Sequence, residues 1–172
     1  MAERMELTRP VFFVGFMGAG KTSVARRLAR TCGVASVDMD TYIERREGKK
    51  VKEIFAEGGE EGFRAIETDV LRDLGAKPDP LLISCGGGIV KRPENLRALH
   101  QNGVILFIDR PLDALTVGGG RPLSSSMDAL RQMEAQRRPL YLAAADAVIP
   151  NNGTLDEALR AAMEALDEIF DS

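Results

Sequence analysis

Long apolar runs are missing from this chain, and so is any excess of basic residues. No stretch approaches the ~20 apolar residues of a membrane span, and Met1-Ala2-Glu3-Arg4-Met5-Glu6 lacks the charged-then-apolar layout of a signal peptide. The expectation is a cytoplasmic protein with no membrane partner. Lysine and arginine number 23 against 26 acidic residues, a net charge of -3, which argues against a nucleic-acid partner because phosphate backbones are held by basic surfaces. Cysteine is scarce: Cys32 and Cys85 have no metal-ligand spacing and read as small core residues in a reducing compartment. The single histidine, His100, lies in the polar stretch Leu99-His100-Gln101-Asn102-Gly103 and reads as a surface residue. With 172 residues there is material for one core but not two, so residues 1–172 are expected to form one domain. A monomer is the expected state.

What the chain does have is a sharp local pattern. Gly15-Phe16-Met17-Gly18-Ala19-Gly20-Lys21-Thr22 fits G-x-x-x-x-G-K-[ST], between the apolar run 11–14 and an amphipathic stretch from Ser23 to Thr31. Glycines let such a loop curl so that successive N–H groups face phosphate oxygens, and the following helix adds its positive end. Gly18, Ala19, Gly20, Lys21, Thr22 and Ser23 are therefore read as holding a nucleoside triphosphate, with the Thr22 hydroxyl available to Mg²⁺.

Further apolar runs at 34–37, 81–85, 104–108 and 147–149 are mostly continuous, as in strands buried on both faces. Between them lie helical spacings: Val24, Leu28 and Ala29; Phe63, Ile66, Val70, Leu71 and Leu74; Leu130, Met133 and Leu140; Leu155, Leu159, Met163 and Leu166. The alternation predicts an α/β domain with a parallel sheet and helices on both faces.

Asp38 and Asp40 end the second run. On an extended segment, side chains two apart share a side, so both carboxylates would face the ligand end of the sheet, one for Mg²⁺ and one for an acceptor hydroxyl; the simpler reading is that one acid caps the next helix. Gly86-Gly87-Gly88 follows the third run and offers backbone at close range to a ligand. In the stretch 127–144, Arg137 falls in phase with Leu130 and Met133, whereas Arg138 turns toward solvent; a buried guanidinium needs an anion, and a ligand carboxylate would serve. Arg64 lines up with Glu67, which could hold it in position. Arg121 follows a glycine triplet in a stretch poor in large apolar residues, suited to a closing segment that carries charge to a phosphoryl group.

In order along the chain, the phosphate loop, Asp38-Met39-Asp40, Phe63-Arg64, Gly86-Gly87-Gly88, Arg121-Pro122-Leu123 and Arg137-Arg138-Pro139-Leu140-Tyr141 closely resemble shikimate kinases. The resemblance implies a three-layer P-loop fold of the nucleoside-monophosphate-kinase type, strand order 2-3-1-4-5, with a phosphate loop at 15–22, a substrate-binding segment over about 39–76 and a lid over about 116–126. It implies ATP-dependent phosphorylation of the 3-hydroxyl of shikimate on the route to chorismate and the aromatic amino acids. It places Lys21 and Arg121 on the phosphates, Thr22 and Asp38 on Mg²⁺, and Asp40 on the acceptor hydroxyl. Arg64 and Arg137 would hold the shikimate carboxylate, with Gly86, Gly87 and Gly88 against the ring hydroxyls. The chain departs from the pattern at Thr116-Val117, where many relatives carry an arginine over the adenine, and at Asn151-Asn152, where a basic residue is common. A kinase of another small hydroxy acid such as gluconate, or a non-catalytic nucleotide-binding module, are the alternatives.

Overall fold

The computed structural model describes residues 6–77, 79–112 and 127–171. The elements follow in the order β1 (Val11–Val14), α1 (Lys21–Cys32), β2 (Ala35–Asp38), α2 (Met39–Glu47), α3 (Val51–Gly75), β3 (Leu81–Ser84), a 3-10 turn (Ile89–Lys91), α4 (Pro93–Asn102), β4 (Val104–Asp109), α5 (Met127–Ala144), β5 (Ala147–Pro150) and α6 (Leu155–Asp171). The five strands pair in parallel in the order β2-β3-β1-β4-β5.

The central strands read as unbroken apolar runs because both of their faces are covered. Phe12, Val14, Ile83, Ile105 and Phe107 meet Met39, Ile43, Phe63, Leu71, Leu74, Leu99, Leu130 and Tyr141 from α2 to α5 on one face. Val11, Phe13, Leu82, Leu106 and Ile108 meet Val24 and Leu28 of α1 and Ala158, Ala162 and Leu166 of α6 on the other. Each large side chain so buried contributes ~1.5–3 kcal/mol before conformational entropy is subtracted. The edge strands do not follow this rule: Ala35 and Ser36 of β2 and Val148 of β5 are exposed, since an edge strand lacks a neighbour on one side.

Helix ends set the loops. Gly20 (φ 96°) opens α1 and Gly33 (φ 71°) closes it, both in the left-handed region that favours glycine. Asp38 caps α2, accepting from the N–H groups of Asp40 (3.0 Å) and Thr41 (3.3 Å). Helix α3 bends at Gly59 (φ 68°, ψ -170°), and Phe55 stacks on Phe63 across the bend with ring centroids 4.7 Å apart. The connections that follow β1, β2, β3 and β5 leave from the carboxyl edge of the sheet, where the candidate residues gather.

Candidate active site

The loop between β1 and α1 curls through three glycines with positive φ, Gly15, Gly18 and Gly20. Lys21, only 9% exposed, folds its ammonium back on the loop and donates to the carbonyls of Gly15 (2.5 Å) and Phe16 (3.4 Å). Ala19 is buried, and Ser23 is exposed at the helix start. The predicted phosphate-loop residues are thus together, around one turn of backbone.

Beside this loop stands an oxygen cluster. Thr22 Oγ1 donates to Asp38 Oδ2 at 3.3 Å and lies 3.0 Å from Ser84 Oγ at the end of β3. One carboxylate and two hydroxyls are hard oxygen donors, a set that fits Mg²⁺, which keeps much of its water and takes further ligands from substrate phosphates. The carboxylate of Asp38 serves two ends at once: one oxygen caps α2, as the simpler reading of that acid expects, and the other faces Thr22. Asp40 corrects the reasoning but not the position. It lies in the first turn of α2 rather than on an extended strand, and reaches the site because the helix turns it back over Gly86. A Cβ on Gly86 would stand 3.3 Å from Asp40 Oδ1 and 3.2 Å from Glu67 Oε2. Asp40 keeps solvent on one side, yet desolvation by the site wall, and next the Asp38 charge, push its carboxyl above the ordinary aspartate value, against the pull of Lys21.

Each glycine of the triplet makes room for charged groups. Gly86 faces Asp40 and Glu67, a Cβ on Gly87 would lie 3.3 Å from Arg137, and a Cβ on Gly88 would lie 2.2 Å from a terminal nitrogen of Arg64. Space, rather than a special φ, is what requires Gly88, whose φ is -96°. Arg64 donates to Glu67 at 2.9 Å and lies 3.5 Å from Glu60. This is no surface pair: the Glu67 side chain is 0% exposed and that of Arg64 11%. Burial pushes the Glu67 carboxyl upward although Arg64 pulls it down, and its second oxygen has no hydrogen-bond partner among the described residues. The turn carrying Arg64 is fixed from below, where Thr68 joins the Arg64 carbonyl, Asn95 and Arg92, and fully buried Asn95 donates to the Ile89 carbonyl just past the glycines.

Helix α5 separates its two arginines. Arg138 binds Asp109 through two bonds (2.6 and 3.1 Å) and Glu134 through a third (2.7 Å). It is therefore half-buried against the end of β4 rather than turned to solvent as the helical phase predicts, because Asp109 lies within its reach. Arg137 enters no ion pair among the described residues; its guanidinium lies over the Phe16 ring, 5.9 Å from the centroid, and lines an open groove of ≈ 430 Å³. The buried stripe runs through Leu130, Tyr141 and Ala144, and Leu140, predicted to share it, is 36% exposed. Tyr141, 1% exposed and with its phenol pushed up to about 12 by burial, donates to the Gly87 carbonyl at 2.5 Å. Arg121 and the predicted lid, 116–126, lie outside the described residues.

Ser84, Tyr141 and Asn151 belong to this site without a local signal. Asn151 was singled out only as a departure from a basic position; it is buried and donates to the Ala19 carbonyl at 2.7 Å. His100 is exposed and both cysteines are buried, as expected. No helix among the described residues is long and apolar enough to cross a membrane.

The shikimate kinase family model matches residues 17–167. A shikimate kinase of Dehalococcoides mccartyi is 36% identical, the match covering 98% of this chain and 95% of the relative. One from Nostoc is 43% identical over 76% of this chain and 75% of its own. Among solved structures, shikimate kinase from Acinetobacter baumannii in complex with shikimate superposes with a TM-score of 0.85 at 34% identity, covering 96% of this chain and 95% of that one. A match of this extent includes the glycine cradle and both arginine-bearing helices as well as the phosphate loop, and with it the chain belongs to the shikimate kinase family.

Proposed function

We propose that this chain transfers the γ-phosphoryl group of ATP to the 3-hydroxyl of shikimate, giving ADP and shikimate 3-phosphate. The observation that carries the acceptor assignment is Arg137: a guanidinium that pairs with no carboxylate among the described residues, facing the same glycine backbone that Arg64 packs against. Two guanidinium groups converging on one short backbone segment favour a small carboxylate ligand, held by charge-assisted bonds. Gluconate is also a carboxylate, but family membership favours shikimate. A coupled ADP-release assay with shikimate, gluconate or no acceptor tests the reading; release that does not depend on shikimate overturns it.

In this reading residues 15–22 hold the nucleotide, 39–76 the acceptor, and 116–126 close over both. Mg²⁺, held by Thr22 and Asp38 with Ser84 behind them, would neutralise phosphate charge. Lys21 leaves the Gly15 and Phe16 carbonyls for the β/γ-phosphates, and Arg121 adds a second positive charge. Phosphoryl transfer needs alignment and charge neutralisation more than proton abstraction, so Asp40 orients the 3-hydroxyl first and accepts its proton second. The raised Asp40 carboxyl suits that order, being a better acceptor than an ordinary aspartate.

The two adjacent arginines give a direct test. Arg137→Ala should weaken shikimate binding by ~1.5–3 kcal/mol, the value of a hydrogen bond to a charged group. Arg138→Ala should leave shikimate binding nearly unchanged and instead lower thermal stability, by about 1 kcal/mol for a partly exposed pair. Titration calorimetry and melting curves check both, and shikimate sensitivity at Arg138 would exchange the assignments.

Thr116 stands where the family resemblance implies an arginine over the adenine. Thr116→Arg should lower KM for ATP through ~0.5–2 kcal/mol of stacking while leaving kcat and shikimate affinity unchanged. Steady-state titrations with ATP and GTP check it; no shift in either constant means another group covers the base.

A further inference from the structure

Asn151 is the first residue after β5 and is tied at both of its donors. Its backbone N–H donates to the Asp109 carbonyl at the end of β4 (2.8 Å), and its side-chain Nδ2 donates to the Ala19 carbonyl inside the phosphate loop (2.7 Å), across 132 residues of sequence. The side chain is 8% exposed, so the bond is shielded from water. A Cβ on Gly20 would lie 2.7 Å from Nδ2, so the carboxamide lies directly against the peptide that joins Ala19 to Gly20. In a planar trans peptide the C=O and the N–H point in opposite directions. Drawing the Ala19 carbonyl toward β5 therefore aims the Gly20 N–H away from β5, across the loop. Gly20 itself, at φ 96°, has freedom that no neighbouring residue supplies, and without an anchor its peptide could rotate.

We infer that Asn151 is a positioning residue for the nucleotide phosphates: it fixes the Ala19–Gly20 peptide so that the Gly20 N–H is presented to a phosphate oxygen before any ligand arrives. It touches no substrate atom itself. The site so ordered is for the polyphosphate chain and not for the base or for shikimate. This rests on the phosphate-loop reading above, and the experiment separates the two.

Asn151→Leu keeps the approximate shape of the side chain and removes the donor without adding charge. Binding of ADP and of inorganic tripolyphosphate is measured by calorimetry on wild type and variant, with melting temperature as a control for folding. Both ligands should bind the variant about tenfold more weakly, by the same factor, the value of one buried hydrogen bond. KM for shikimate at saturating ATP should stay within about twofold, since the acceptor groups lie elsewhere. A folded variant that binds both ligands like wild type overturns the inference. A loss confined to ADP, with tripolyphosphate unaffected, also overturns it, because it would place Asn151 on the nucleoside. Wild type that binds neither ligand overturns the phosphate-loop reading instead. A second measurement needs no variant: in wild-type protein, tripolyphosphate should move the Gly20 amide proton resonance downfield while the Asn151 side-chain amide stays slow to exchange. A Gly20 resonance that does not move on saturation overturns the inference even if the leucine variant fails to fold.

Discussion

Lys21→Ala is expected to retain the fold and lose turnover. The ammonium is buried and lies among backbone carbonyls of its own loop, at the turn that the proposed reading assigns to the phosphates. Alanine removes the positive charge that must follow the phosphoryl group through a loose transition state, and nothing else in the loop carries a charge. Removing one electrostatic stabiliser of this kind costs ~3–4 kcal/mol, so kcat should fall by about 10²–10³-fold or more. Shikimate affinity, measured by calorimetry without nucleotide, should change little, because Arg64 and Arg137 are untouched and Asp40 loses only the downward pull of Lys21 on its carboxyl. Activity within a few-fold of wild type would remove Lys21 from the mechanism.

The second large effect is expected at a residue with no side chain. Gly88→Ala places a methyl group 2.2 Å from Arg64, a distance that no real contact tolerates. Arg64 is long, so the backbone need not move; the guanidinium must. Displaced, it abandons both the acceptor side of the cradle and Glu67, whose carboxylate is fully buried. Shikimate binding should weaken by ~1.5–3 kcal/mol from the lost charge-assisted bond alone. Glu67, already pushed toward its neutral form, should then take up a proton, which limits the stability cost of the broken pair. The signature is a KM for shikimate raised about tenfold or more with KM for ATP unchanged, and it is absent if the alanine is absorbed elsewhere.

Much of this site was legible in the sequence because its signals are local. The phosphate loop, the glycine triplet and the apolar runs are contiguous, and the strands begin and end within about a residue of those runs, the uncertainty of any boundary. Strand order came only through the family resemblance, since pairing across long separations leaves no pattern in composition. Helical phase separated Arg137 from Arg138, which do face different neighbours, yet it sent Arg138 to solvent, because nothing near residue 138 in sequence announces Asp109. It also placed Leu140 inside, where exposed apolar residues are in fact common. Asp40 was found for an incorrect reason: the strand ends at Asp38, whose cap starts the helix that returns Asp40 to the site. Ser84, Tyr141 and Asn151 were missed as site residues because a serine, a tyrosine and an asparagine acquire their roles only from what the fold brings to them.

The central place of β1 in the sheet has a consequence for how the chain matures. Val11 pairs with Leu82 on one side and Val104 on the other, so β1 waits for partners that lie about 70 and 90 residues further along the chain. Loop closure over such separations is slow, and chains emerge from the ribosome amino end first. The phosphate loop, although synthesised early, acquires both flanking strands only once β4 has emerged, and the Ala19 carbonyl meets its Asn151 donor only after β5. On the reading proposed above, competence to bind ATP thus follows the emergence of β5, and a shorter chain exposes the apolar edges of β1 until β3 and β4 have emerged.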